Sequence, residues 1–380
     1  MDLFFSKEEQ LIQKAAREFG EQVIAPVADQ IDRENKIPKE VMEGLAELGM
    51  FGIQFPEEFG GSGAGHLCYM LALEELSKAA PGVGATISVN SVPLAVIQAF
   101  GTPEQKAKYM RDGVTGKKIY SFAFTEPGTG SDPKQLTTMA VKDGDHYVIN
   151  GTKRFITNAG FEGTMVVIAK EEESGKATAF ILDKFCEGYS VSKPWDKIAA
   201  HGGELYDVYF NNVRVHRENM LGSVGDGLWV LKIAMVYGKL GLVALFLGVA
   251  AAAYEEGVRY AKEKTHRGVS IAEKFEHVKI AVSEMTMKMQ ASRLYAYYLG
   301  HAADHLKDPM ELVKEAALAK VFVAETGIEV CKLAMGIHGS YGLQREYRIS
   351  RLWSDVIFGP QVEGTAPLLK ILAAGVILGK

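Results

Sequence analysis

The sequence predicts an α+β multidomain protein with three regions in the order helical, β, helical. Three observations carry this. The chain has 380 residues, too many for one ordinary core, so two or three packed units are expected. Residues 1–118 and 228–380 place apolar side chains at helical spacing, and Ala, Leu, Lys, Glu and Met dominate the second stretch. Residues 119–227 instead carry short β-rich runs punctuated by Gly, Asp and Asn.

In the first region Ser6 followed by Glu9 forms a capping-box pattern, and Leu11, Ala15, Ala16 and Phe19 recur at helix spacing, as do Val41, Leu45 and Leu48. Breaks fall at Pro26, at Pro38 and across the glycine turn 58–63. A helix is expected over about 67–78, and another from Thr102 as N-cap with Pro103 in its first turn. In the second region the runs 147–149, 165–168, 179–182 and 205–210 predict a compact domain of seven or eight strands. Asp143-Gly144-Asp145 and Asn150-Gly151 read as hairpin turns. In the third region long helices are expected near 228–264, 274–304 and 310–337, with a shorter one near 366–378 and a turn at Asp308-Pro309. Three long helices and a short one predict a four-helix bundle. The stretch 240–254 is apolar on nearly all faces, so it is central or covered by another subunit. At fifteen residues it falls short of the ~20 needed to cross a bilayer, and no membrane association is expected.

Composition is 47% apolar and 23% charged, with a net charge of −5 and no basic tract, which argues against nucleic acid as a partner. The three cysteines, Cys68, Cys186 and Cys331, show neither a CxxC pattern nor metal-ligand spacing. No metal site is expected, and a reducing, cytoplasmic compartment is. The opening Met1-Asp2-Leu3-Phe4-Phe5 does not read as a signal peptide.

Three motifs carry the chemistry. Thr125-Glu126-Pro127-Gly128-Thr129-Gly130-Ser131-Asp132 follows an apolar run, 119–124, that reads as a strand. Its two glycines and proline fix the turn and let backbone N–H groups approach a ligand, while Thr125, Ser131 and Asp132 add short polar arms. Taken alone it is either a loop for a planar ligand or a plain Gly-Ser turn. The second motif is Gly151-Thr152-Lys153-Arg154-Phe155-Ile156-Thr157-Asn158-Ala159, and the third is Val362-Glu363-Gly364-Thr365. Together, in this order, they resemble the acyl-CoA dehydrogenase family of flavoproteins, over nearly the whole chain. The resemblance implies a middle β-barrel-like domain, a C-terminal four-helix bundle, a homotetramer, FAD as cofactor, an acyl-CoA substrate and an electron-transfer flavoprotein as acceptor.

The reaction so implied is α,β-dehydrogenation of the thioester to a 2-enoyl-CoA, a base taking the Cα proton while hydride leaves Cβ for flavin N5. Glu363 is the candidate base. Its neighbours, 356–362, are poor in charge, and such surroundings raise a carboxyl pKa toward the working range. Without the motif it reads as a surface or capping residue before the last helix. Gly364 leaves room for substrate. Some relatives carry the base on the helix that opens the bundle, where this chain has Gly238, which cannot serve. By the same resemblance Thr125 and Thr157 bond the flavin edge, Phe124 faces it with backbone, and Phe155 stacks where Trp is usual. Ser131 lies near pyrophosphate and substrate, Thr365 touches the cofactor, and Gly339 belongs to a turn near the adenosine. Arg267 stands in a loop that in the family reaches a neighbouring subunit's cofactor; Lys264 replaces that loop's usual Arg and Arg267 its Phe, so Arg267 is the candidate to supply the guanidinium to the pyrophosphate. Lys239 and Val236 also depart from the family pattern, so CoA contacts differ here. Asn90 and Ser91 match a segment at the acyl end. Their polarity points to an acyl group other than a plain alkyl chain, cyclic, branched or dicarboxylic, or else to a polar helix end. His201 reads as structural. An oxidase or monooxygenase on the same fold, and a non-catalytic flavin- or CoA-binding scaffold, remain the alternatives.

Overall fold

The computed structural model describes residues 5–306 and 308–379, apart from the side chain of Lys134. Residues 1–4, where a signal peptide would begin, lie outside that description.

Six helices precede the sheet: α1 (Lys7–Phe19), α2 (Ala28–Glu34), α3 (Lys39–Glu47), α4 (Gly65–Ala79), α5 (Pro81–Phe100) and α6 (Pro103–Val114). The expected caps form. Ser6 Oγ accepts from Glu9 N at 3.2 Å while the Glu9 carboxylate accepts from Ser6 N at 2.6 Å. Thr102 and Gln105 make the same reciprocal pair on α6. The Gln105 amide then donates to Glu218 O and Met220 O, tying α6 to the β region. One expectation fails: Asn90 and Ser91 are not at a helix end but inside α5.

Eight strands follow: β1 (Ser121–Ala123), β2 (Met139–Asp143), β3 (His146–Thr157), β4 (Thr164–Glu171), β5 (Ala177–Asp183), β6 (Tyr189–Val191), β7 (Leu205–His216) and β8 (Met220–Leu221). They form one sheet in the order β6-β7-β3-β2-β4-β5-β8, with β1 parallel to β4 at its side. β2 and β3 are joined at the Asp143–His146 pair through Gly144, whose φ of +61° suits a tight hairpin. Asn150-Gly151 is not a turn. It lies within β3 opposite a register shift in β7, and a Cβ on Gly151 would sit 2.6 Å from Thr138 Oγ1. The glycine answers a close approach between strands rather than a reversal. A second shift lies between Lys153 and Ile156, where Phe155 has a φ of +59°, so this bulge turns the Phe155 ring outward.

The C-terminal region opens with α7 (Gly227–Glu263), then a small hairpin of β9 (Thr265–His266) and β10 (Val269–Ser270) and the single turn α8 (Ile271–Lys274). Next come α9 (Glu276–His305), α10 (Val313–His338), α11 (Arg348–Ile357) and α12 (Ala366–Leu378). The four expected helices are present, and α11 is an addition. Its buried Ile349, Leu352 and Val356 have helical spacing, but the segment is short and lies between two glycine-bearing turns. The apolar stretch in α7 is central: it packs on α4 and α5 on one side and on α9, α10 and α11 on the other. By length and composition α5 and α7 are apolar enough to cross a membrane, contrary to the length argument above. Yet 72% and 89% of those windows are buried inside the protein, so core packing accounts for their apolarity.

Candidate active site

Glu363 sits in the loop between α11 and α12. Its φ is +47° and that of Gly364 is +95°, two successive left-handed residues. Glycine takes this conformation freely, and a glutamate does so only where its surroundings enforce it. Lys320 of α10 supplies one restraint, its buried Nζ donating to Gly364 O at 3.0 Å. The side chain then runs against α7 at Gly238, where a Cβ would lie 2.4 Å from Glu363 Oε2. Gly238 is therefore the space the carboxyl occupies. Oε2 is buried and has no hydrogen-bond partner among the described residues.

Burial raises the proton affinity of Glu363, while the charges of Lys239 and Lys320 pull it back. Neither lysine is hydrogen-bonded to the carboxyl. Lys239 Nζ donates to Met235 O at 2.8 Å, and burial pushes both lysines down to about 8. Glu363 does not cap α12. Thr365 holds the cap position, and its hydroxyl makes no capping bond.

A cavity of about 260 Å³ opens between α4, α5 and α7, its wall including Gln54, His66, Tyr69, Ser91 and Tyr237. It adjoins the carboxyl through α7. One turn beyond Gly238, a Cβ on Gly241 would meet Tyr69 Oη at 2.6 Å and Ser88 Oγ at 2.1 Å. Ser91 lines this cavity, its Oγ donating to Ser88 O at 2.7 Å. Asn90 does not. Its Nδ2 donates to Gly113 O at 3.0 Å and its Oδ1 accepts from Tyr120 N at 2.7 Å. It is a buried staple between α5, the end of α6 and β1, which corrects its assignment to substrate.

On the sheet side, Thr125 and Thr157 are both half-buried. Arg154 N donates to Thr125 O at 2.8 Å, so the loop after β1 lies directly on β3. Phe124 is buried, and its carbonyl is taken by Lys153 Nζ at 2.9 Å. Phe155 is 51% exposed and packs at 5.4 Å against Trp195, which presents an indole beside it. Ser131 is exposed.

Known proteins share this arrangement from end to end. The acyl-CoA dehydrogenase N-terminal, middle and C-terminal domain profiles match residues 6–117, 121–213 and 225–377. The chain is 37% identical to 3-(aryl)acrylate reductase of Clostridium sporogenes, over 99% of this chain and 100% of that one. The chain belongs to the acyl-CoA dehydrogenase family. It is 35% identical to the caffeyl-CoA reductase-Etf complex subunit CarC of Acetobacterium woodii, over the full length of both. The solved butyryl-CoA dehydrogenase of Megasphaera elsdenii superposes with a TM-score of 0.95 at 33% identity, again over all of both chains.

Acyl-CoA dehydrogenases are FAD-dependent oxidoreductases, and the residues present suit that cofactor. Two threonines on adjoining segments offer hydroxyls at a partly open face, and a bulge presents an aromatic ring alongside. Thr125, Thr157, Phe155 and Thr365 are the residues that would hold it. Gly339 caps α10 at a φ of +58° and lines a second cavity of about 290 Å³ with Lys264, whose Nζ lies 4.5 Å over the Tyr341 ring. Arg267 is exposed in the turn between β9 and β10, with a φ of +53°.

Sequence reasoning missed Lys320, Tyr69, Gln54 and Tyr237, and saw Gly238 only as a missing base. Lys320 had a readable signal: it is a lone cation within the apolar run 316–324. The cavity residues come from a loop, α4 and α7, and no local pattern joins them.

Proposed function

We propose that this chain catalyses α,β-oxidoreduction of an acyl-CoA thioester, Glu363 moving the proton at Cα, and that it exchanges electrons with an electron-transfer flavoprotein. One observation carries the reading: the Glu363 carboxyl lies against Gly238 of α7 with Oε2 shielded and unpartnered, and Tyr237 and Leu240 on the same turn of α7 line a cavity of about 260 Å³. When bound, FAD supplies the hydride acceptor or donor for Cβ. The chain supplies the rest. Oε2 of Glu363 is shielded from water, and the raised proton affinity of the group matches a weakly acidic Cα–H better than an ordinary carboxylate does. Gly238 and the Lys320 bond to Gly364 O hold the carboxyl in place.

Enoyl reduction is the second reading of direction. Both curated relatives described above are named as reductases, and a carboxyl that holds its proton is suited to returning it to Cα. The electron-transfer flavoprotein rests on the Etf complex in the name of the Acetobacterium woodii relative. A homotetramer is supported by exposed Ile280, Met287, Leu294 and Tyr298 along α9 and by Ile371, Val376 and Ile377 on α12. Sedimentation at micromolar concentration checks it.

The Glu363→Gln variant tests the chemistry. FAD should be retained, while anaerobic bleaching of the flavin by acyl-CoA should slow by at least ~10²–10⁴-fold. Bleaching at near the parent rate would assign the proton transfer to another group.

A further inference from the structure

We propose that the cavity beside Glu363 receives an aryl acyl group whose ring carries a hydroxyl. The inference rests on the acyl-CoA reading and names its substrate class. Size is the first argument. The cavity measures about 260 Å³. An apolar cavity of ~150 Å³ already holds benzene, so a ring, two further carbons and a hydroxyl can be housed.

The walls are the second argument. Phe55, Tyr69, Tyr237 and His66 present ring surfaces, and the Tyr237 and His66 rings lie nearly parallel, with centroids 5.3 Å apart and planes at 20°. Flat walls of this kind favour a flat ligand over a flexible chain.

Polarity decides the substituent. Gln54 Oε1 is buried with no hydrogen-bond partner among the described residues. His66 Nδ1 lies 3.0 Å from Asp304 Oδ1, an acceptor-only carboxylate that also takes His66 N and Leu67 N. Nδ1 is therefore the donor, and Nε2 is the ring nitrogen left for a ligand. A buried, unpaired amide oxygen in the cavity calls for a donor on the ligand. A ring hydroxyl supplies it, whereas an alkyl chain leaves Gln54 unpaired. A carboxylate would set its negative charge beside that oxygen, and no Lys or Arg is among the described residues of the wall to balance it. This turns the sequence expectation of a dicarboxylic acyl group toward a neutral, donor-bearing one. Ser91 is committed to Ser88 O, and Tyr69 Oη lies 3.3 Å from Ser91 Oγ, so these two hydroxyls are already engaged.

The test is calorimetric titration of the FAD-loaded protein with four thioesters: 3-(4-hydroxyphenyl)propanoyl-CoA, 3-phenylpropanoyl-CoA, hexanoyl-CoA and glutaryl-CoA. The hydroxyphenyl thioester should bind at least ~10-fold tighter than the phenyl one, since a site built to bond a hydroxyl discriminates against its absence. Both should exceed glutaryl-CoA. In Gln54→Leu the gap between the two aryl thioesters should close to within about threefold, through loss at the hydroxyphenyl ligand alone. His66→Phe should narrow it in the same way. Equal affinity for the two aryl thioesters in the parent protein, or preference for hexanoyl-CoA or glutaryl-CoA, overturns the proposal and leaves the acyl-CoA reading standing. Failure of all four both to bind and to bleach the flavin overturns the acyl-CoA reading and this proposal with it.

Discussion

The loop that follows β1 is held by one buried ion pair. Lys153 Nζ lies 2.8 Å from Glu126 Oε1, and both side chains are shielded from water. Burial alone would raise Glu126, but the charge and hydrogen bond of Lys153, with bonds from Thr137 and Thr138, hold it well below the usual carboxylate range. Lys153→Met should therefore lower stability by about 3–5 kcal/mol, because it strands a buried charge. Denaturant unfolding measures this, and FAD retention on dilution should fall with it, since Thr125 loses its anchor. The motif around Thr125 was plain in the sequence. The partner was not, because it lies on another strand, 27 residues away. Glu363 carries its own prediction. Its proton affinity is raised by burial, so the ionised form is lost above the ordinary carboxylate range as pH falls. Bleaching by a saturated acyl-CoA should weaken as pH drops through that raised value, and enoyl reduction should strengthen. Stopped-flow pH profiles in both directions read it, and a flat profile in both would remove Glu363 from the proton step.

At the scale of an element, α7 shapes the site with glycines. Gly238 leaves room for the Glu363 carboxyl and Gly241 for Tyr69 and Ser88. Gly238→Ala should keep the helix and FAD yet slow flavin reduction by about 10²-fold, since a misplacement near 1 Å has that effect. Far-UV circular dichroism and anaerobic bleaching check the two halves. The helix itself was legible from its unbroken apolar run. Its role in the site was not, because the volume it vacates is filled from 125 residues further on. Asn150-Gly151 shows the same limit from the other side. The dipeptide has hairpin chemistry, but contact with Thr138 and a shift against β7 decide its conformation. Periodicity locates elements, and close approaches between distant segments do not print themselves locally.

At the scale of the whole molecule, single polar side chains fasten the β region within itself and to its neighbours. Within it, Lys184 Nζ donates to Ile119 O and Asn158 O at 2.7 Å each. Lys197 Nζ donates to Asn35 Oδ1 at 3.0 Å, bridging the sheet region to the turn after α2. His201 bonds Asp32 at 2.7 Å in the same joint, and Ala200 N donates to Asp355 of α11, also at 2.7 Å. The structural reading of His201 holds. Burial pushes Lys184 down to about 7 and Lys197 to about 8. A lysine with a depressed folded pKa binds fewer protons folded than unfolded, between that value and the unfolded one near 10.5. Each therefore penalises folding at lower pH, and the penalty lifts as pH rises through that window. Stability should climb from about pH 7 toward 9, by up to ~1.4 kcal/mol per pH unit per group. Lys184→Met should flatten part of the climb, and a parent protein whose midpoint denaturant concentration is level across that range would refute it. The order of helical, β and helical regions was readable because composition changes with it, while these joints depend on single side chains meeting across regions. The place of α7 between α4 and α5 on one side and α9 to α11 on the other has a further consequence. During synthesis α4 and α5 emerge first and wait, with their greasy faces bare, until residue 263 has cleared the ribosome exit tunnel. Fragments cut at the region boundaries should therefore expose apolar surface and aggregate.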